Sequence, residues 1–83
     1  MQIILKLYAG LTPFLPAGAQ NNQIAIEVDE GTTINAVLDA HNCPRKLCHL
    51  VMHNGFHIPP GERDARVLRE GDALAAWPPI AGG

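Results

Sequence analysis

The residues best suited to chemistry lie at the carboxyl end of the chain, in the run Trp77–Gly83. Pro78 and Pro79 lack backbone N–H groups, fix φ at about −65° and favour extended backbone before them. Gly82 and Gly83 have no side chains. We expect an extended tail with a stiff root and a thin, flexible tip, which could enter a narrow channel in another protein. Its usable reactive group is the terminal carboxylate of Gly83, and the alternative is a frayed end without function.

Two cysteines and four histidines are the other candidate nucleophiles or metal ligands: Cys43, Cys48, His41, His49, His53 and His57. A disulfide between the cysteines is possible but would close a short loop, and the cytoplasm keeps thiols reduced. We therefore expect buried free thiols. A zinc site needs more ligands than two cysteines. Three of the histidines would share a face only in a helix, whereas 49–53 has a strand pattern followed by an Asn54-Gly55 turn. A metal site is not favoured.

Length and composition restrict the possible functions. A chain of 83 residues with 47% hydrophobic and 17% charged residues is typical of one compact domain, too small for a deep internal active site. A net charge of −2 without a basic stripe gives no reason to expect nucleic acid. No apolar run reaches the ~18 residues of a membrane span, and the chain starts with a strand pattern instead of a signal peptide. We therefore expect a cytoplasmic protein without a membrane partner.

Apolar alternation predicts a first strand over 1–9. Its core face carries Ile3, Leu5 and Leu7, and its opposite face carries Ile4, Lys6 and Tyr8. The segment 10–22 is expected to be a loop whose apolar residues Leu11, Phe14 and Leu15 fold back onto the core. Alternation over 23–29 predicts a second strand, antiparallel to the first.

A helix is predicted after the Glu30-Gly31 turn, with Thr32 or Thr33 as its N-cap. An apolar stripe formed by Ile34, Val37, Leu38 and His41 extends over about ten residues. Three further strands follow, at 49–53, 56–58 and 73–77. The segment 62–68 is expected to be a loop with one helical turn, and Glu70-Gly71-Asp72 a tight turn before the last strand.

One amphipathic helix must cover one apolar face of the sheet, which predicts a two-layer α+β fold. We expect the first and last strands to be neighbours at the centre of a mixed four- to five-stranded sheet, which is the β-grasp topology. A single domain would span 1–83, with a body over about 1–77 and a tail over 78–83.

Alternation also predicts a partner-binding surface on the sheet face away from the helix. If Leu74 and Ala76 point to the core, Trp77 lies on the outer side beside the first strand, where Tyr8 and Ile4 also lie. The two aromatic residues would form an exposed pair at the root of the tail, as is common at partner sites. The predicted partner-binding residues are Ile4, Tyr8, Trp77, Pro78, Pro79, Ile80 and Ala81. Alternatively, Trp77 is a core residue buried by Phe14 or Phe56.

The sequence resembles the ubiquitin-like sulfur-carrier family, the MoaD/ThiS proteins, over its whole length. The resemblance is carried by the following motifs: Met-Gln-Ile-Ile-Leu-Lys at 1–6, Gly-Thr-Thr-Ile at 31–34, Asn-Gly at 54–55, Leu-Arg-Glu-Gly-Asp at 68–72 and Pro-Pro-Ile-Ala-Gly-Gly at 78–83. The set is most similar to the small subunit of molybdopterin synthase. The segment 10–22 lacks the Arg-Glu pair often found after strand 1 in this family, and the cysteines and histidines are not part of its pattern.

The resemblance implies a carrier without a catalytic side chain or bound cofactor of its own. An E1-like adenylyltransferase would consume ATP to adenylate the Gly83 carboxylate, with Gly82 in its channel, and a sulfur donor would convert the adenylate to a thiocarboxylate. The acceptor would be the large subunit of molybdopterin synthase. Relatives with this tail also serve thiamin, tungsten-pterin or tRNA sulfuration, or are joined to lysines. A β-grasp binding module without covalent chemistry is the alternative from another class.

Overall fold

A computed structural model describes residues 1–80 of the chain. It contains one α-helix, α1 (Ile34–Ala40), and five strands: β1 (Gln2–Leu7), β2 (Gln23–Glu27), β3 (Leu50–His53), β4 (Phe56–His57) and β5 (Ala73–Trp77). Three 3₁₀ segments, Ala9–Phe14, Arg45–Leu47 and Pro60–Glu62, lie in the connections. Within residues 1–80, every helix is too short to cross a lipid bilayer.

The strands form one mixed sheet in the order β2-β1-β5-β3-β4. The first and last strands are parallel neighbours at its centre, with Leu5 opposite Leu74 in register. The pairs β1–β2, β3–β5 and β3–β4 are antiparallel. This arrangement confirms the predicted β-grasp. Because β1 and β5 are parallel, their C-terminal ends lie side by side at the same end of the sheet.

Side-chain alternation decides which face of the sheet meets the helix. Ile3, Leu5 and Leu7 of β1 are completely buried, as are Leu74 and Ala76 of β5. They form one core with Ile34, Val37 and Leu38 of α1, and Val51 of β3 also belongs to it. The predicted core face is confirmed, and the predicted helix stripe is confirmed for Ile34, Val37 and Leu38 but not for His41, which does not belong to the core.

Helix α1 begins where predicted but ends early. Thr33 is its N-cap, and its Oγ1 accepts a hydrogen bond of 3.3 Å from the backbone N–H of Ala36. The helix has seven residues instead of about ten. His41 stands at its C-cap, where Nδ1 lies 2.9 Å from the Val37 carbonyl oxygen. Asn42 follows with φ of 60°, in the left-handed region, and this ends the helix.

The segment after β1 is more regular than the loop that we predicted. Ala9–Phe14 is a 3₁₀ helix that turns Leu11 completely into the core. Phe14 and Leu15 pack against the core while staying partly exposed, as expected. The segment is closed by Asn22, whose Nδ2 donates to the Leu7 carbonyl oxygen at 3.1 Å. A short 3₁₀ helix has no strong sequence periodicity, which explains why the loop prediction was wrong here.

Arg63 organises the segment before β5. It is only 4% exposed, and its guanidinium donates to the carbonyl oxygens of Ile58, Cys48 and His49 at 2.9, 2.7 and 3.2 Å. Removal from water lowers the pKa of Arg63. The helical turn predicted within 62–68 is present, because the Arg66 N–H donates to the Glu62 carbonyl oxygen at 3.1 Å, and it continues the 3₁₀ segment Pro60–Glu62. Val67 bridges to Thr33. These bonds fix the segment against both the helix and β3.

The tight turn before β5 is stabilised by Asp72. Gly71 has φ of 81°, and the Asp72 carboxylate accepts hydrogen bonds from the Arg69 amide, from Asn54 Nδ2 and from His53 Nε2 at 2.8, 2.9 and 2.6 Å. Removal from water raises the pKa of Asp72, but the hydrogen bonds outweigh this effect and hold the pKa below its ordinary value. The ionised carboxylate therefore stabilises the fold.

Asp72→Asn is expected to lower the free energy of unfolding at neutral pH by about 1.5 kcal/mol, because an amide offers one acceptor oxygen in place of two. Since the folded pKa is depressed, the wild-type advantage is complete above the unfolded value of about 4 and disappears as the pH falls through the folded pKa. Urea denaturation at about pH 7 and pH 3 measures both effects. Glu30→Gln, which removes one exposed carboxylate, is the control. An equal loss in the two variants, or a difference between wild type and Asp72→Asn that grows in acid, would contradict this role.

Candidate functional site

The tail leaves the body at the end of the central strand β5. Trp77 is the last residue of that strand, and Pro78–Ile80 have no regular secondary structure. Pro79 is exposed, and the Ile80 side chain is 83% exposed. Ala81, Gly82 and Gly83, which we predicted as the tip of the tail and its reactive end, lie outside the described residues.

Tyr8 and Trp77 form the aromatic pair that strand alternation predicts. Their rings are stacked, with centroids 4.6 Å apart and an interplanar angle of 6°. The backbone fixes this arrangement, because the N–H of Tyr8 donates to the Ala76 carbonyl oxygen at 3.2 Å. Both side chains are half-buried. Phe56 does not cover Trp77 as a core residue, since Phe56 is itself 70% exposed on the other side of the sheet.

On the side of the sheet away from α1, the three central strands β1, β5 and β3 form a mainly apolar surface, the outer face, which is bordered by Gln23 and Glu27 of β2 and His57 of β4. We use this name for the following residues, which share that face by register: Ile4, Lys6, Tyr8, Leu50, Met52, Ala73, Ala75 and Trp77. Ala75 is buried, and the others are half-buried. Helix α1 packs on the opposite face of the sheet and does not cover them. An uncovered apolar face next to a tail is suited to contact a partner protein.

Sequence reasoning missed Leu50 and Met52. In register, Leu50 lies opposite Trp77 and Met52 lies opposite Ala75, so both belong to the outer face. The run His49-Leu50-Val51-Met52-His53 has three consecutive apolar residues and therefore shows no clear alternation. Burial of Val51 in the core settles the register. Period-two alternation counted outward from Val51 would have found both residues.

A groove of about 610 Å³ lies at the root of the tail. It is lined by Ala9, Gly10, His49, Leu50, Trp77, Pro78, Pro79 and Ile80. A Cβ atom at Gly10 would lie 3.9 Å from Cγ of Pro78, so the 3₁₀ segment lies close beside the tail. The groove joins the outer face to the tail, and a partner that holds the tail can therefore contact both. Sequence reasoning did not predict it, because it depends on the 3₁₀ segment.

The two cysteines are buried free thiols, as predicted. Removal from water raises the pKa of Cys43 to about 11, and the neighbouring Cys48 contributes to the rise. Burial also raises the pKa of Cys48. Cys43 and Cys48 are each 3% exposed, and their thiols stay protonated at neutral pH. Neither has the thiolate that a nucleophile or a sulfur-transfer residue requires.

The histidines do not form a common site. His41 caps α1, His49 lies at the groove, His53 contacts Asp72, and His57 lies on the edge strand β4. Residues 1–80 contain no group of three or more metal-ligating side chains.

Comparisons with known proteins agree with this architecture. A family model described as the ThiS family matches residues 16–83. The solution structure of the HVO 2177 protein of Haloferax volcanii is 25% identical, with a TM-score of 0.75, and the match covers 100% of this chain and 87% of that one. The crystal structure of small archaeal modifier protein 1 of H. volcanii is 25% identical, with a TM-score of 0.64, and the match covers 95% of this chain and 98% of the other. A search of curated proteins gave no match.

A third structure, the complex of subunits 1 and 2 of the molybdopterin-converting factor of Helicobacter pylori, shares the fold at 15% identity and a TM-score of 0.58. That match covers 100% of this chain and 100% of the matched chain of the complex. The mixed five-stranded sheet on one helix thus defines a ubiquitin-like β-grasp protein. The chain belongs to the ThiS family, whose model covers more than half of it.

Proposed function

We propose that this protein is a cytoplasmic sulfur carrier that acts through the carboxylate of Gly83. The observation that carries the proposal is the position of the tail: in a chain of the ThiS family, it leaves from the central strand beside an uncovered apolar face. A partner can therefore hold the body by the outer face while the Gly-Gly end enters its active site. The described side chains need not supply a nucleophile or a base.

The proposed chemistry proceeds in two steps on a partner enzyme. An oxygen of the Gly83 carboxylate attacks the α-phosphorus of ATP, pyrophosphate leaves, and an acyl adenylate forms. Hydrosulfide, or an equivalent sulfur nucleophile, then attacks the carbonyl carbon, AMP leaves, and a proton is released as the thiocarboxylate forms. The first step is needed because a carboxylate is a poor electrophile, whereas its adenylate has a good leaving group.

The proposed partner enzymes are an E1-like adenylyltransferase, a sulfur donor and an acceptor enzyme. For the acceptor we propose the large subunit of a molybdopterin synthase. The support is the same fold in subunit 1 of the molybdopterin-converting factor, whose structure is a complex with subunit 2. The Pro78-Pro79 pair, which thiamin-type carriers usually lack, also favours the molybdopterin pathway.

Incubation with the adenylyltransferase of the same host, ATP and radiolabelled pyrophosphate tests the first step. We expect exchange of label into ATP that depends on this protein. A carrier variant in which Gly83 is followed by one added alanine is the control, because its carboxylate is displaced by one residue. No exchange with the native chain, or equal exchange with the extended chain, would contradict the proposal.

Gly82→Ala is expected to fold normally and to be adenylated about tenfold more slowly, since a methyl group must enter a channel shaped for bare backbone. The measurement is the initial rate of pyrophosphate exchange at a carrier concentration that saturates the enzyme. Ala81→Gly, which removes a methyl group one residue away, should keep the native rate. An unchanged rate in Gly82→Ala would show that the channel does not require glycine at this position.

A second candidate function, modification of other proteins, is favoured by the 25% identity to small archaeal modifier protein 1. It uses the same adenylate, which a lysine Nζ attacks in place of sulfur, with AMP as the leaving group. Purification of a tagged chain from its host under denaturing conditions, followed by peptide sequencing, would detect isopeptide links between Gly83 and lysines. Their absence would leave sulfur transfer as the function of the adenylate.

A further inference from the structure

A second exposed surface lies at the β3–β4 edge of the sheet, on the helix side and away from the outer face. Phe56 lies directly opposite His53, which in turn lies opposite the core residue Leu74. Cross-strand partners point to the same face, so Phe56 projects on the helix side. Phe56 is 70% and Val67 46% exposed, and within residues 1–80 the only other large apolar side chain as exposed is Ile80 of the tail.

Two arginines lie beside these apolar residues. Nε of Arg66 donates to Nδ1 of His53 at 3.3 Å, which places the Arg66 side chain next to the strand partner of Phe56. Within residues 1–80, neither Arg66 nor Arg69 has a carboxylate oxygen within 4.0 Å. By contrast, Arg45 contacts two carboxylates. The charges of Arg66 and Arg69 are therefore available to a ligand.

Hydrogen bonds fix the main chain at both arginines. The Arg66 carbonyl oxygen accepts from the Ile34 N–H at 3.0 Å, and its own N–H donates to the Glu62 carbonyl oxygen at 3.1 Å. The Arg69 N–H donates to the Asp72 carboxylate at 2.8 Å. Between them lies a groove of about 430 Å³, lined by His53, Ala65, Arg66, Val67 and Arg69. A main chain that is already ordered lowers the part of the entropy cost of binding that comes from ordering this segment.

We propose that this edge surface, formed by Phe56, Arg66, Val67 and Arg69, binds an acidic segment of a partner protein that also carries apolar side chains. The two arginines provide positive charge that the described part of the chain does not neutralise, and arginine and aromatic side chains are enriched at protein interfaces. Phe56 and Val67 provide apolar contact next to that charge. Because the edge surface and the outer face lie on opposite sides of the sheet, both can be occupied at the same time.

Titration of the ¹⁵N-labelled full chain with an acetylated, amidated octapeptide of alternating glutamate and leucine tests the proposal. We expect amide shift changes at 53–56 and 65–69, and an affinity that falls when salt rises from about 20 to about 300 mM. The matched octapeptide of glutamine and leucine should bind at least about fivefold more weakly. In the double variant Arg66→Gln/Arg69→Gln, affinity should fall about tenfold, while Lys46→Gln, which removes an exposed positive charge elsewhere, should not change it.

Arg69→Gln alone provides a variant that keeps the contact between Arg66 and His53, and it should still weaken binding by about threefold. Equal binding of the two peptides would overturn the proposal, because the charges would then have no role. Shift changes confined to the outer face would also overturn it. Inorganic phosphate that causes the same shifts at the same concentration as the peptide would show a simple anion site instead of a peptide surface. None of these outcomes depends on adenylation of the tail. The proposal for the edge surface can therefore be wrong while the proposed carrier function is right, and the reverse also holds.

Discussion

Deletion of Gly83 is expected to lower the rate of adenylation by more than ~100-fold. The new terminal carboxylate belongs to Gly82 and stands about 3.5 Å short of the original position. In-line attack on the α-phosphorus of ATP requires approach to about 3–3.5 Å, so this displacement removes the reacting geometry. Pyrophosphate exchange with the host adenylyltransferase, measured for the deleted and the native chain, gives the ratio of rates.

The same deletion should leave the melting temperature unchanged. Within residues 1–80, the buried core residues lie between Ile3 and Ala76, and Pro78–Ile80 are not among them. Thermal unfolding followed by circular dichroism provides the control, and the deleted chain should still compete with the native chain for the enzyme through its outer face. A melting temperature several degrees lower would mean that the end of the chain contributes to the folded body. A preserved adenylation rate would mean that Gly83 is not the acceptor.

Trp77→Ala is expected to weaken the complex with the activating enzyme by ~30-fold, which corresponds to about 2 kcal/mol. Trp77 ends β5, stacks on Tyr8 at 4.6 Å, and lines the groove beside the tail. It therefore lies where the outer face and the tail meet. Isothermal titration calorimetry of carrier and enzyme measures the change. The free energy of unfolding should fall by no more than about 1 kcal/mol, because the lost contact within the carrier is one half-exposed aromatic stack.

Glu30→Ala is the control, because it removes an exposed side chain that belongs to neither the outer face nor the edge surface. Its affinity for the activating enzyme should match that of the native chain. Equal losses in the two variants would contradict the assignment of the outer face as the docking surface. A stability loss near 3 kcal/mol in Trp77→Ala, with unchanged affinity per folded molecule, would show that Trp77 serves the fold instead of the interface.

The central strands and the helix start could be predicted from sequence because each has a strong periodic signal. In β1, Ile3, Leu5 and Leu7 alternate with Ile4 and more polar residues, and a register shift by one residue would bury Lys6. Thr33 precedes an apolar stripe at helical spacing, which fixes the N-cap. The stacked pair of Tyr8 and Trp77 then followed from alternation alone, since parallel central strands bring their ends together.

The missed features depend on contacts between distant segments. The 3₁₀ segment after β1 is stabilised by burial of Leu11 and by the bond from Asn22 to the Leu7 carbonyl oxygen, neither of which leaves a periodic pattern. Arg63 looks like a surface residue in the sequence, yet three carbonyl oxygens hold it inside the fold. The helix ended early because Asn42 adopts a left-handed conformation, whereas apolar spacing continued to His41.

Mass spectrometry of the C-terminal peptide, taken from protein purified from its own host, tests the carrier function most directly. We expect a fraction of molecules in which sulfur replaces one oxygen of the Gly83 carboxylate, so that the peptide mass rises by the difference between the two atoms. Treatment with iodoacetamide should add its alkyl group to that species, while Cys43 and Cys48 stay unmodified in the folded chain because both thiols are buried and protonated. A C-terminal peptide with only the ordinary carboxylate, in cells that contain the activating enzyme and a sulfur source, would contradict the account.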